Sequence, residues 1–327
     1  MQRVLVTRRL PAPLLASLYS RANTQVQMHD SDEPMPRGEL LASLRGASGV
    51  LCLLSDSLDA EALAAAGGSL RCVSTLSAGV SHIDLAGCAR GGERVGYTPD
   101  VLTDATADLA LALLLAVARR LPQAAAAVRG GPDAWSSWKP FWQVGRAVAG
   151  ARVGIVGLGR IGEAIARRLA GFGCTISYTG GSGPKPAAEA ALAGGARWQP
   201  LDELLAGAEV VVLACALTPA TRGLLSYARL AAMREDAILI NVARGEVIDQ
   251  DALVRLLRER PRMLAGLDVT TPEPLPQGSP LLQLDNALVL PHIGSATASC
   301  REEMCRIAVD NLAAALDGAP MRAELKL

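Results

Sequence analysis

Neither sign of charge dominates this chain: 32 lysines and arginines stand against 32 aspartates and glutamates, a formal net charge of zero. A nucleic-acid binder or a protein held on anionic membranes would carry a basic excess, and that electrostatic footprint is missing. No C-x-x-C pair occurs among the seven cysteines (52, 72, 88, 174, 215, 300 and 305), and the three histidines do not cluster. Such spacing argues against a zinc or other metal site and against a disulfide framework, and it suits a reducing compartment. The longest apolar run, Leu109–Ala118, falls far short of the ~20 residues of a bilayer span and is bracketed by charges. The amino end, Met1-Gln-Arg-Val-Leu-Val-Thr-Arg-Arg, lacks a signal-peptide core and reads as a strand. Internal repeats and disordered tracts are lacking too. The expectation is a soluble, cytoplasmic protein of 327 residues, which at ~100–200 residues per domain means two domains.

What is present alternates short β-branched runs with longer helical stretches, the pattern of parallel α/β sheets. Val4–Val6, Val50–Leu54 and Cys72–Leu76 read as buried strands, with helical spacing over Glu39–Leu44 and Asp59–Ala66. After the turn Thr98-Pro99-Asp100, Thr103 or Asp104 can cap a long helix running to about Arg120, where Pro122 bends or ends it. Trp135, Trp138, Phe141 and Trp142 then crowd one short segment, either a self-packed loop or an arm that buries aromatics against a second subunit. From Arg152 a second series follows, with strands at Val153–Val156, Thr175–Tyr178, Val210–Ala214, Ala237–Asn241, Leu264–Asp268 and Leu288–Leu290. That is enough for a six-stranded doubly wound sheet. A last helix, about Cys300–Leu316, lies beyond it and would make the first domain discontinuous if it returned there.

Gly157-Leu-Gly159-Arg160-Ile161-Gly162 follows the first strand of this series and opens an amphipathic stretch with Ile161, Ile165 and Leu169 on one side. Here Gly157 makes the tight turn, Gly159 lets a pyrophosphate approach the backbone, and Gly162 lets helix pack close on strand. The pyrophosphate would sit on the helix N-terminus, where free N–H groups and the dipole favour anions. A NAD site usually carries an acid some 20 residues on, at the end of the second strand, to bind the ribose 2′-hydroxyl. Ser177-Tyr-Thr-Gly-Gly-Ser182 followed by Lys185 holds none. A 2′-phosphate is therefore tolerated, and Thr179, Ser182 and Lys185 are its candidate ligands, so NADPH is expected ahead of NADH.

Of the histidines, His29 reads as a solvated surface residue and His82 as capping or core packing. His292 differs, because it follows the strand Leu288–Leu290 and Pro291 at the carboxyl edge of the second sheet, where doubly wound folds place their ligands. Arg244 and Glu273 follow two other strands of that series. A carboxylate–imidazole pair plus a guanidinium suits reduction of a 2-oxo acid. His292 would give the proton to the carbonyl oxygen, Glu273 would hold the ring and favour its charged form, and Arg244 would fork onto carboxylate and carbonyl.

With those residues in hand, the chain resembles the D-2-hydroxyacid dehydrogenase family. The resemblance rests on Gly157–Gly162, on Ile240-Asn-Val-Ala-Arg-Gly245, and on Glu273-Pro followed by Pro291-His-Ile-Gly-Ser295. Within the family it is nearest the branch acting on glyoxylate and hydroxypyruvate, through Ser31-Asp-Glu-Pro34, Leu51–Asp56, Gly96–Asp104, Trp138-Lys-Pro, Gly266–Pro276 and Glu324-Leu-Lys-Leu. It implies a flavodoxin-like substrate domain, 1–103 plus 293–327, closing over an inserted Rossmann cofactor domain, 104–292. It implies Arg244, Glu273 and His292 as catalytic residues, with the Ala78 and Gly79 N–H groups on the substrate carboxylate and Leu54 and Ser295 lining the pocket. Asp268 would meet the nicotinamide carboxamide, with Leu217, Thr218 and Val242 beside the cofactor. The aromatic arm would join a homodimer and bring Trp138 over the neighbouring subunit's site. One departure stands out: close relatives carry an arginine where this chain has Gly181, which weakens the NADPH preference or moves it to Lys185. Rival readings are a phosphoglycerate-type dehydrogenase and a dinucleotide-sensing, corepressor-like binding module.

Overall fold

The computed structural model describes all 327 residues except Pro132, Ser182 and Ala193. They form two compact units, Met1–Leu102 with Ala296–Leu327, and Thr103–Ser295. The return to the first unit falls three residues after the expected junction at 292, which keeps Ile293, Gly294 and Ser295 with His292 in the second unit.

The first unit holds five parallel strands, β1 (Gln2–Val6), β2 (Thr24–Met28), β3 (Gly49–Cys52), β4 (Cys72–Thr75) and β5 (Arg94–Gly96), in the order β2-β1-β3-β4-β5. This is the flavodoxin-like order. Two of its helices start at capping aspartates: Asp59 accepts from Ala62 N–H at 3.0 Å and Asp84 from Gly87 N–H at 2.9 Å. The last helix, Ala298–Leu316, does return to this unit. Ser74 Oγ donates to its Ala308 carbonyl at 2.7 Å, and Asn311 ties it to Tyr97 O and Ala323 N–H. His29 departs from expectation, since its ring is largely buried with Nδ1 3.5 Å from Glu39.

The second unit holds β6 (Arg152–Val156), β7 (Thr175–Thr179), β8 (Ala196–Trp198), β9 (Val210–Leu213), β10 (Ile238–Asn241), β11 (Leu264–Leu267) and β12 (Ala287–Val289). All pair in parallel, in the order β12-β11-β10-β9-β6-β7-β8. This is the Rossmann order with one further strand, and the direction of winding reverses between β6 and β9. The expected six strands are thus seven. The addition is β8, an edge strand of three residues too brief to leave a pattern in the sequence. Strand β9, and β10 up to its final Asn241, are apolar because both faces are covered. Val210, Val212, Ile238 and Ile240 join a core with helix Thr103–Ala118, while Val211, Leu213 and Leu239 join one with Leu253, Leu256 and Leu257. The long helix ends at Ala118, earlier than expected. Arg120 then adopts φ 54°, and a separate helix, Leu121–Arg129, begins with Pro122 in its first turn. Among the described residues no single helix is long and apolar enough to cross a membrane.

Candidate active site

The strand ends of the second unit build the site from the glycine loop outward. Gly157 has φ 98°, and a Cβ there would lie 2.6 Å from Cys215 Cα, so the turn excludes any side chain. On Gly162 a Cβ would sit 2.1 Å from the Gly157 carbonyl oxygen, the close helix–strand approach its position demanded. Gly159 is the opposite case, for a Cβ there would meet nothing within 4 Å. It stands at the N-cap of helix Arg160–Ala170, which has no side-chain cap. An open backbone cradle at a helix N-terminus fits a dinucleotide pyrophosphate. In that helix Ile165 and Leu169 are fully buried and Ile161 half-buried, while Arg160 is exposed.

Beside the loop, β7 ends in buried Thr179, whose carbonyl accepts Gly157 N–H at 2.8 Å. Lys185 Nζ donates to Leu158 O at 2.5 Å, which sets an ammonium directly on the glycine loop. Buried Tyr178 holds that lysine's segment, its hydroxyl accepting Lys185 N–H at 2.5 Å and donating to Glu189 at 2.7 Å. Ser182, the remaining candidate here, lies outside the described residues.

Arg244, Glu273 and His292 follow β10, β11 and β12 in turn. His292 Nδ1 and Glu273 Oε2 are 2.8 Å apart, and Glu273 Oε1 accepts Thr270 N–H at 2.9 Å. Arg244 reaches Ala243 O through Nη1 at 2.7 Å, and its charge is felt by Glu273. The two turns are pressed together, since a Cβ on Gly245 would fall 2.0 Å from Thr270 O.

Comparison with known proteins decides what this arrangement belongs to. The NAD-binding domain of the D-isomer specific 2-hydroxyacid dehydrogenases matches residues 111–294. The human protein named glyoxylate reductase/hydroxypyruvate reductase is 48% identical over all of this chain and 98% of its own length. The chain belongs to the D-2-hydroxyacid dehydrogenase family. A glyoxylate reductase of Thermococcus onnurineus is 42% identical over 97% of the chain and 93% of its own length. A Thermus thermophilus structure superimposes with a TM-score of 0.90 at 44% identity, covering 99% of this chain and all of that one. The NADPH-dependent glyoxylate/hydroxypyruvate reductase of Sinorhizobium meliloti, solved with NADP and malonate, gives a TM-score of 0.85 at 31% identity, covering 99% of this chain and 96% of that one.

In this dehydrogenase the site is electrostatically coupled. Burial lowers the Arg244 guanidinium from its ordinary value, against the pull of Glu273 and Glu246. Burial would raise Glu273, but the hydrogen bond and charge of His292, the Thr270 N–H and the Arg244 charge outweigh it and hold the carboxyl below 4.5. Because the folded value lies below the unfolded one, ionised Glu273 stabilises the fold above about pH 4.5, and that contribution is lost as pH falls through the folded value. Melting curves of wild type and Glu273→Gln should therefore differ near neutrality and converge as pH falls through the folded value. A constant gap across that range would contradict the coupling.

Asp268, expected beside the nicotinamide carboxamide, also braces the turn that carries His292. The residue is 2% exposed, and its two oxygens accept Ile293 and Gly294 N–H, each at 2.8 Å, while its carbonyl accepts His292 N–H at 2.9 Å. These bonds hold the turn in which His292 takes φ 55°, a left-handed conformation uncommon outside glycine. Burial raises the Asp268 carboxyl, opposed by those N–H groups and by the His292 charge. Val242 is buried and bonds Leu213 O, Leu217 is half-buried, and exposed Thr218 is tied to Thr221 at the end of β9. Ser295 is half-buried three residues past His292. In the aromatic segment Trp138 is 83% and Phe141 92% exposed, while Trp142 is half-buried under Lys139.

The first unit carries Leu54, Ala78 and Gly79 at the carboxyl ends of β3 and β4, all half-buried. Ser77 shapes the second of these loops, with Oγ donating to Gly79 O at 2.7 Å and resting 2.8 Å from Thr75 Oγ1. His82 Nε2 also bonds Thr75 Oγ1, at 2.9 Å, in keeping with a packing role. Sequence reasoning overlooked Asn241, a wholly buried amide at the end of β10. Its signal was there to read: a polar residue closing an otherwise apolar strand just ahead of Arg244.

Proposed function

We propose that this chain reduces small 2-oxo acids, glyoxylate and hydroxypyruvate, to D-2-hydroxy acids with NADPH. The observation that carries the proposal is the 2.8 Å His292–Glu273 pair beside a desolvated arginine, at the sheet edge that also bears the glycine loop. The names of the human, Thermococcus and Sinorhizobium relatives support the substrate class. When bound, the reduced nicotinamide supplies the hydride. Gly157, Gly159, Arg160, Ile161 and Gly162 would hold its pyrophosphate, with Leu217, Thr218 and Val242 along the nicotinamide half. With Nδ1 engaged by Glu273, His292 has Nε2 to present a proton to the substrate carbonyl oxygen as C2 is reduced. Glu273 keeps the ring oriented and balances the imidazolium. Arg244 binds the carboxylate and polarises the carbonyl through a planar fork, stabilising the developing alkoxide. The Ala78 and Gly79 N–H groups are proposed as carboxylate ligands, and Leu54 and Ser295 as substrate-binding residues. The enzyme would work in the cytoplasm as a homodimer, with exposed Trp138 and Phe141 covered by the partner.

A steady-state panel of small 2-oxo acids, with phosphohydroxypyruvate included, against NADPH and NADH tests the proposal. Highest kcat/KM on glyoxylate or hydroxypyruvate supports it, and preference for the phosphorylated acid points to a phosphoglycerate-type enzyme. Cofactor choice rests on Lys185, whose ammonium sits on the glycine loop at a strand end without a carboxylate. Lys185→Ala is expected to raise KM for NADPH about tenfold and leave KM for NADH nearly unchanged, the loss of one charge-assisted phosphate contact. Equal effects on both cofactors would remove the lysine from the 2′-phosphate site.

A further inference from the structure

We infer that Asn241 is a positioning residue whose side-chain amide fixes the turn presenting Arg244 to the substrate. The inference rests on the proposed role of Arg244 and goes one layer beneath it. Asn241 is the last residue of β10 and is 0% exposed. Its two polar atoms are both spent on the next three residues: Oδ1 accepts Ala243 N–H at 3.0 Å, and Nδ2 donates to Arg244 O at 3.0 Å. The amide thereby grips the turn on either side of the Ala243–Arg244 peptide. The carbonyl of that same peptide receives Arg244 Nη1 at 2.7 Å, so the guanidinium leans on the group that Asn241 immobilises.

Beyond the turn, the missing side chain of Gly245 lets the backbone meet Thr270, whose N–H holds Glu273 Oε1 at 2.9 Å. Asn241, Arg244, Thr270, Glu273 and His292 thus form one continuous run of contacts. Only a side chain with one donor and one acceptor at this length can make both Asn241 bonds. Aspartate has the shape but no donor, so it would set a buried carboxylate oxygen against the Arg244 carbonyl. Serine has the chemistry and too short a reach.

The experiment uses the full-length enzyme with NADPH, glyoxylate and hydroxypyruvate as substrates, and oxalate as a competing carboxylate probe. Asn241→Asp is expected to lower kcat/KM for both oxo acids about 10- to 100-fold, the cost of displacing a substrate-binding group by a fraction of an ångström to about 1 Å. Oxalate inhibition should weaken in parallel, while NADPH affinity, read by fluorescence titration, stays within about twofold. Asn241→Ser serves as a second variant should the buried carboxylate prevent folding. The deciding readout is a double-mutant cycle with Arg244→Lys. A residue acting through Arg244 adds little once the guanidinium is gone, so the two losses should not multiply. Multiplying losses, or NADPH affinity falling along with activity in both Asn241 variants, would mean a merely structural role and overturn the inference. If Arg244→Lys is impaired and both Asn241 variants match wild type, the positioning role alone fails. A wild-type enzyme inactive on every 2-oxo acid overturns the functional reading and this inference with it.

Discussion

Replacing His292 with asparagine is expected to lower kcat for glyoxylate reduction by about 10²- to 10⁴-fold, the usual contribution of a positioned general acid. Asparagine is the informative choice. The backbone at His292 has φ 55°, and among non-glycine residues asparagine tolerates that region best. The turn clamped by Asp268 should then survive, and the variant removes the proposed proton donor with little else. Alanine would add the strain of a positive φ to the chemical defect and blur the reading. NADPH binding, proposed to rest on the glycine loop after β6, should remain near wild type. With the proton source removed, the developing alkoxide must take its proton from water, outside the hydrogen-bonded frame that Glu273 provides through the 2.8 Å bond. A variant retaining kcat within about threefold of wild type would show that another group delivers the proton.

The sequence discloses this site unevenly, for physical reasons. Strands such as β9 and β10 are legible because both faces are buried, so their apolar runs are uninterrupted and end sharply at the loops that carry function. The glycine loop is legible because Gly157 and Gly162 answer steric demands and Gly159 leaves the backbone open at the helix N-terminus. Arg244, Glu273 and His292 could be named because βα loops in doubly wound folds point functional groups to one edge. What the sequence hides is tertiary. The edge strands β5 and β8, each three residues long, owe their existence to a neighbour rather than to their own pattern. That Asp268 braces the His292 turn shows only when its oxygens are seen on Ile293 and Gly294, 25 and 26 residues away. Asn241 is concealed by locality of another kind, since its two bonds reach only two and three residues ahead. The ring of His29 is covered by a contact with Glu39 that no local pattern announces.

Arg244→Lys preserves the formal charge and is nonetheless expected to lower kcat/KM for both oxo acids about 10²- to 10³-fold, most of it in KM for the oxo acid. A planar guanidinium can serve carboxylate and carbonyl oxygen at once, whereas an ammonium is a point charge without that fork. Burial adds to the loss. The Arg244 site already lowers a guanidinium from its ordinary value despite the opposing pull of Glu273 and Glu246. An amine, with an ordinary value near 10.4, would be pushed down from a much lower start and be neutral over part of the alkaline range. The lysine variant should therefore lose activity toward high pH sooner than wild type, which keeps its guanidinium charged. Glu273 would feel the change too, because Arg244 is one of the charges holding its carboxyl low. Methylguanidinium offered in solution to Arg244→Ala completes the argument: partial recovery of kcat/KM would show that the planar cation, rather than the shape of the turn, is what the site lacks. Wild-type kcat/KM in Arg244→Lys would instead place carboxylate recognition elsewhere, with the Ala78 and Gly79 N–H groups as the remaining candidates.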